Sequence, residues 1–379
     1  MRITYRRLAM IGLISKLMRR RAEEGNLPAI QQFFENMYLW IRNGITPGYY
    51  CAAGLYRKQL SWKQKCEFIS DRKFERRLAR INNPRYGFVT LNKVVTFGIL
   101  RMFNIPTPPF LGVINGNGGQ TFDGRPFRSA SDLIKLVERT GIDHVCFKYV
   151  GGWCGTGFHK VRIEPGNDGA NVIVDPGGTR MSLTEFWDST LLGSADDSNL
   201  PESHYGILCQ GVVDQHPTIA GLHPQSLNTA RIWLYQSSPK KWDAFAGILR
   251  MGVRDMCVDN SAQGGIFARI DLRTGRLDTA TDTTPLRPVF SSHPTTNAQI
   301  EGLVLPMWDQ VLPISYTAAS AFSYQKLLGI DIAFSKSGPL VLELEAQPHA
   351  IHQIGFDRGV APLLDSLSQN DELEQVTNI

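Results

Sequence analysis

Three acidic side chains near the C-terminus, Asp331, Glu343 and Glu345, are the residues whose type and spacing point most directly to chemistry. They lie in the stretch 328–350, LGIDIAFSKSGPLVLELEAQPHA. Ile330, Ile332 and Phe334 interleave with Asp331 and Ala333; Leu340, Leu342 and Leu344 interleave with Val341, Glu343 and Glu345. Such period-two alternation marks two strands, each with one face in a core. Lys336, Ser337 and Gly338 suit a three-residue hairpin loop closed by glycine in the left-handed region. That loop pairs Ser335 with Pro339, sets Asp331 opposite Glu343 and leaves Glu345 one pleat along on the same face. Like charges directly opposite one another destabilise a sheet, where Cβ atoms are only about 5 Å apart. Three such carboxylates call for a cation, and hard oxygen donors suit Mg2+, ordinarily with phosphate completing its shell. A solvated edge whose charges keep the hairpin soluble is the other reading of the same residues.

Groups suited to phosphate lie upstream. In HVCFKYVGGWCGTGFHKVRI (144–163) a strand places Lys148 on one face with His144 and Cys146, and a loop containing Gly151, Gly152, Gly155 and Gly157 leads into a second strand. Backbone N–H groups of such a loop can close over phosphates while the ammonium neutralises their charge. The pattern is neither GxxxxGK[ST] nor a Rossmann fingerprint, because no helix follows the glycines. A flexible turn beside a snorkelling lysine remains the alternative. Arg231, in a strand entered through Asn228, and Arg250 each interrupt an apolar run. A guanidinium there is costly unless paired with an anion, so each suits either a phosphate or carboxylate ligand or a structural ion pair. His216, His223 and His293 lie in polar loops that could line an acceptor pocket.

The elements that must position these groups fit a chain of 379 residues with 42% hydrophobic and 20% charged content, enough for two or three packed subdomains. The net charge of +5 is lopsided: residues 1–80 hold seventeen Lys and Arg against six Asp and Glu. A basic end on an acidic body suggests an anionic partner; no nucleic-acid motif accompanies it and nucleic acid is not expected, although by charge a membrane surface or an acidic glycan fits only as well as nucleic acid. The six cysteines show no metal-ligand spacing and read as thiols of a reducing compartment. The apolar run 8–18 is broken by Lys16 and lacks a cleavage site, so a secretory signal is not expected. Residues 1–80 read as a mostly helical, exposed layer broken near 43–49. A helix over 94–102, a strand over 110–114 and a helix capped by Ser131 follow. Residues 194–203 form a loop suited to a hinge; further strands run over 206–213, 227–235 and 245–253, and a helix over 314–328 leads back to the acidic hairpin.

The order of these features carries a resemblance. Lys93 opens a helix before a strand, Lys148 precedes a glycine hairpin, and Gln210 to Val213 form a central strand. SLNTAR, LRMG, VDNSAQGGI and a D-x-x-TG turn then lead to Asp331 and Glu343. From about residue 49 to 364 the chain resembles the ATP-grasp superfamily, and within it the sugar-transfer associated ATP-grasp branch. The resemblance implies an α+β fold in which two subdomains grip ATP between antiparallel sheets, here with an added N-terminal helical layer. The expected division is a basic helical region at 1–90, an N-terminal and lid part at 91–205, and a C-terminal subdomain with the magnesium site at 206–379.

By the same resemblance Lys93 and Lys148 would contact ATP phosphates, and the loop of Gly151, Gly152, Gly155 and Gly157 would fold over them. Gln210, Gly211, Val212 and Val213 would read adenine, with Asn228 nearby. Asp331, Glu343 and Glu345 would hold Mg2+. The family's second metal strand usually reads E-x-N, whereas this chain has Glu343-Leu344-Glu345, so Glu345 adds a charge that either tightens metal binding or repels phosphate. Many such ligases carry an arginine just before the metal-binding aspartate, where this chain has Leu328-Gly329-Ile330, so Arg231, Arg250 or Arg269 would have to stabilise the transferred phosphoryl group. His349, His352, Asp357 and Arg358 would lie beyond it, with His349 as a base for an incoming amine. The implied activity is Mg-ATP-dependent joining of a small-molecule or glycan-linked carboxylate to a nucleophile through an acyl phosphate, in polysaccharide or glycoconjugate assembly. A kinase on the same scaffold and a catalytically impaired nucleotide-binding relative are the alternatives. The expected location is the cytoplasm, with the basic N-terminus able to meet the inner membrane surface.

Overall fold

The structure is a computed structural model and describes residues 2–115, 118–152, 155–166, 171–193 and 205–377, with side chains between 12 and 369. The hinge expected over 194–203 lies outside the described residues.

Alternating apolar residues pair as two antiparallel sheets among the described residues. The first contains β1 (Phe110–Asn115), β2 (Gly118–Thr121), β3 (His144–Tyr149), β4 (His159–Pro165), β5 (Asn171–Val174), β6 (Arg180–Ser182) and β7 (Ile207–Gly211), in the order β2-β1-β7-β3-β4-β5-β6. The second contains β8 (Thr229–Ser238), β9 (Lys241–Met251), β10 (Ile266–Ile270), β11 (Leu277–Thr281), β12 (Leu327–Ser335) and β13 (Gly338–Glu345), in the order β11-β10-β9-β8-β12-β13. β7, which sequence reasoning places at the start of the C-terminal subdomain, hydrogen-bonds between β1 and β3 in the first sheet. The chain after it is pinned to the second sheet, where His216 N–H donates to the Phe334 carbonyl at 2.7 Å.

The second sheet is buried on both faces. Ile232, Leu249, Ile330 and Ile332 pack with Val311, Ala318 and Ala319 of the helix Trp308–Ser320. Trp233, Phe245 and Phe267 pack instead with the N-terminal helices and with residues 350–367. That double burial explains why β12 is buried at every position although its sequence alternates. The N-terminal layer is more than a solvated coat. The helix Asp71–Ile81, dense in charge, turns Phe74, Leu78 and Ile81 inward, and Phe74 lies 5.3 Å from the Trp233 ring. Truncating such a buried phenylalanine to alanine typically costs about 3–5 kcal/mol.

Three local expectations change. Ser129, not Ser131, caps the helix Ala130–Thr140, its hydroxyl accepting from Asp132 N–H at 3.2 Å. The helix expected over 314–328 spans Trp308–Ser320: Pro313 reads as a helix start but falls inside, and β12 takes over at Leu327. The acidic hairpin closes through two residues rather than three, pairing Ser335 with Gly338. One extra residue, Leu342, then bulges between the Ile332–Val341 and Asp331–Glu343 pairs. The bulge cancels the shorter turn, so Asp331 still faces Glu343.

Candidate functional site

Asp331, Glu343 and Glu345 come together on the cleft side of β12 and β13, their ligand oxygens within 4.8 Å of one another. Each is met by cations from elsewhere in the chain. Arg231 is directly opposite Asp331 across the β8–β12 ladder. Its guanidinium binds both Asp331 oxygens and reaches on to both oxygens of Glu345, with Nη2 at 2.8 Å from Glu345 Oε1. Arg250, one strand further on β9, donates from Nη2 to Asp331 Oδ2 at 2.8 Å and to Thr229 Oγ1 at 2.7 Å. The Asp259 carboxylate lies 3.4 Å from Arg250 Nε and accepts the Thr229 backbone N–H at 3.1 Å.

Glu343 faces the other sheet. Lys93 Nζ is 3.4 Å and Lys148 Nζ 3.9 Å from Glu343 Oε1. Lys93 sits at the first turn of the helix Lys93–Met102, set by the Asn92 cap, and its backbone N–H donates to the Val150 carbonyl at 3.0 Å. Its ammonium also donates to the Gly152 carbonyl, tying the glycine loop to the acidic strand. Gly157, at φ +65°, has no room for a side chain: a Cβ there would lie 2.2 Å from the Tyr149 ring.

These groups line one cleft of about 750 Å³, a size that suits a nucleotide. Its walls include Lys93, Lys148, Gly152, Gly155, Gln210, Gly211, Val212, Val213, Arg231, Arg250, His349 and the three carboxylates. Its described lining leaves out Gly151, Gly157 and Asn228. Asn228 is fully buried behind the wall, donating to the Ile219 and His223 carbonyls at 3.1 and 2.8 Å and accepting from Ser226. It therefore shapes the 215–228 loop.

The burial of so many charges shifts their titration. Burial alone would raise the Asp331 carboxyl, but the Arg231 and Arg250 guanidiniums hold it well below the usual carboxylate range. Burial likewise opposes Lys93 and Lys148 at Glu343, and the lysines prevail, lowering its pKa. Burial pulls the Lys148 ammonium below an ordinary lysine, with Glu343 acting against it. Asp259 goes the other way: burial pushes it up despite Arg250. The His352 imidazole is held well below its usual value by burial and by Arg231 and Arg250, so it is neutral near pH 7.

Other sequence candidates lie elsewhere. His223 and His293 are buried 5.4 Å apart, with Nε2 atoms against the Arg254 and Gly252 carbonyls, and His216 accepts from the Thr218 N–H that opens the next short helix. Asp357 is held by Arg57 and Arg287, Arg358 lies over the Phe245 ring, and Arg269 pairs with Asp278 in a solvent-exposed position. None of these lines the described cleft. Asp259 and Thr229 are site residues that the sequence pattern does not single out, although both lie inside the SLNTAR and VDNSAQGGI segments and Asp259 is the one acidic residue of the two.

As a fit for Mg2+, the three carboxylates supply hard oxygen donors; Asp331 Oδ2 already accepts from both Arg231 and Arg250, whereas Asp331 Oδ1 and the two Glu345 oxygens each accept from one arginine and keep a second lone pair. Asp331, Glu343, Glu345 and Asp259 are matched by Arg231, Arg250, Lys93 and Lys148, so the donor set is charge-balanced before any nucleotide enters.

A family model described as sugar-transfer associated ATP-grasp matches residues 73–369. Among solved structures the chain is similar to the ATP-grasp ligase PsnB complexed with minimal precursor, at 13% identity over 76% of this chain and 64% of that one, TM-score 0.39. It is similar to biotin carboxylase from Campylobacter jejuni at 10% identity over 74% and 46%, TM-score 0.44. It is similar to D-alanine–D-alanine ligase from Bacillus anthracis complexed with ATP at 11% identity over 77% and 69%, TM-score 0.41. The chain thus spans less than two thirds of the first two. A search of curated proteins finds no match.

Proposed function

The chain belongs to the sugar-transfer associated ATP-grasp family, and on that premise we propose that it is a Mg-ATP-dependent ligase that activates a carboxylate as an acyl phosphate and joins it to an amine. The observation that carries the reading is the convergence of Lys93, Lys148 and Glu343, from two different sheets and the helix between them, beside Asp331 and Glu345. Phosphoryl transfer asks a protein chiefly for positioning and for neutralisation of charge. Lys93 and Lys148 hold phosphate oxygens, and the loop through Gly152 and Gly155 covers them. Gln210 to Val213 line the base pocket at the junction between the sheets, with the Gly211 and Val212 N–H groups already given to the Pro109 and His144 carbonyls. Asp331, Glu343 and Glu345 would hold Mg2+, whose charge screens the phosphates and sets their geometry.

Arg250 donates toward the transferred group from beside Asp331. His349, on the cleft wall, takes the proton of the incoming amine. Glu345 does not confront the phosphates as a bare charge, because Arg231 holds both of its oxygens; this favours an active enzyme over an impaired relative. The carboxylate is assigned to a small molecule or glycan in polysaccharide or glycoconjugate assembly, and the enzyme to the cytoplasm. A helical region at 1–90, a lid part from 91 and a C-terminal part to 379 are part of this proposal, with the second boundary moved from 205 to after β7, because β7 pairs within the first sheet.

The test is ADP release screened against paired acids and amines, including uronic acids and amino sugars. ADP and phosphate appearing only with both partners supports the ligase. A stable phosphorylated product from a hydroxyl acceptor identifies a kinase instead. No turnover in the native chain, with activity gained by Glu345→Asn, identifies an impaired relative.

A further inference from the structure

The helix Ala29–Asn43 is packed with its polar side inward. Its buried positions are Gln32, Asn36, Leu39 and Asn43, spaced as one helical face. The three amides are each committed to backbone carbonyls: Gln32 donates to Met18 and Leu27, Asn36 to Ile45, and Asn43 to Cys66 and Phe68 at 2.7 Å. These bonds lock the helix's rotation, since turning it would leave the carbonyls of Met18, Ile45, Cys66 and Phe68 without their donors. The opposite face therefore points outward, and it carries Ile30, Phe33, Phe34, Met37, Tyr38 and Ile41 at spacings of three and four. Ile30 is 64% exposed and Ile41 78% exposed, values far from those of a core residue. Trp62 extends the patch by meeting Tyr38 edge-on, with ring centroids 5.3 Å apart. A contiguous apolar face of this kind on a soluble surface marks an interaction site.

Charge decides what covers it. The helix's one acidic residue, Glu35, is turned inward onto Lys65, 2.7 Å away, and Tyr50. Arg42 in the last turn and Lys63 beside Trp62 are exposed, and Lys73 reaches the Arg42 carbonyl. They belong to the segment 1–80, with seventeen basic residues against six acidic. Apolar and aromatic side chains bordered by arginine and lysine match the layering of an anionic bilayer, with tails below, aromatic rings at the headgroups and negative charge around them. The patch lies in the chain before residue 73, outside the region matched by the family model.

We propose that the outer face of the helix Ala29–Asn43, with Trp62, is a docking surface for an anionic lipid bilayer, lying in its interface without crossing it. No helix among the described residues is long and apolar enough to span a membrane. This inference is independent of the reaction assigned above.

The test uses the full chain and vesicle co-sedimentation. Phosphatidylglycerol-rich vesicles should bind it, pure phosphatidylcholine vesicles should bind it weakly, and added salt should release it. Phe33→Glu with Ile41→Glu should abolish binding. Arg42→Glu with Lys63→Glu should weaken it about tenfold or more. These positions are exposed, so circular dichroism and nucleotide binding should be unchanged in both variants. Equal binding to both vesicle types, or no loss in the Phe33/Ile41 variant, overturns the proposal. A chain that ignores vesicles and stays monomeric overturns it too. A dimer in sedimentation that the Phe33/Ile41 variant dissolves assigns the face to a second copy instead.

Discussion

Arg231 and Asp331 are opposed across the β8–β12 ladder, a hundred residues apart in sequence, and the guanidinium that binds Asp331 also spans to Glu345. One cation thus holds two of the three carboxylates, and the third, Glu343, is left to the lysines.

Removing that cation should be costly. Arg231→Met leaves Asp331 and Glu345 partly buried and without their shared partner, and breaking a buried pair costs about 3–5 kcal/mol. The denaturant midpoint should fall accordingly. Millimolar Mg2+ should recover part of the loss in the variant and do little for the native chain, because the freed carboxylates then bind the ion. No recovery of the variant by Mg2+ would remove Asp331 and Glu345 from the proposed donor set.

Glu343 lies between the lysines and the other two carboxylates. Glu343→Gln should weaken Mg-ATP binding about tenfold or more, on the scale of disturbed metal sites. ATP binding in excess EDTA should be unchanged or tighter, since a negative charge facing the phosphates is gone. Titration calorimetry with and without EDTA separates the two. A uniform loss in both would mean that Glu343 acts through packing.

Lys148 should set an alkaline limb. Burial lowers its pKa, and the ammonium is charged only below that value. Nucleotide affinity should therefore hold at neutral pH and decline as pH rises through the lowered pKa, earlier than for an ordinary lysine near 10.5. Lys148→Arg keeps its charge and should flatten this limb. Lys148→Met should lose about 10–100-fold in affinity at neutral pH, the worth of a charged hydrogen bond.

Asp357 ties the N-terminal layer, through Arg57 Nη1 at 3.0 Å, to Arg287 in the segment after β11. Burial raises its pKa, and the two arginines bring it below the ordinary value. The folded pKa lies below the unfolded one, so this stabilisation is complete above about pH 4 and is lost as pH falls through the folded pKa. Asp357→Asn should cost about 2 kcal/mol at neutral pH and reduce the steepness of the acid transition seen by circular dichroism. An unaltered acid transition would show that the pair is too solvated to matter.

Much of the site is legible in the chain itself. Period-two alternation determines that Asp331, Glu343 and Glu345 share a face, and apolar strands interrupted by Arg231 and Arg250 require anions close by. The segment order around Lys93, Lys148 and the glycines points to the family. What the chain does not determine is how these pieces meet. Register at the acidic hairpin depends on a two-residue turn and a bulge at Leu342 that offset each other, and no local pattern announces a bulge. Which carboxylate receives which cation follows from the strand order β9-β8-β12-β13, a long-range pairing. Most of all, the apolar stripe of the helix Ala29–Asn43 would ordinarily be assigned to a core. Only tertiary hydrogen bonds from Gln32, Asn36 and Asn43 turn it outward, because a buried amide must find its carbonyl, whereas an apolar side chain can be covered by lipid.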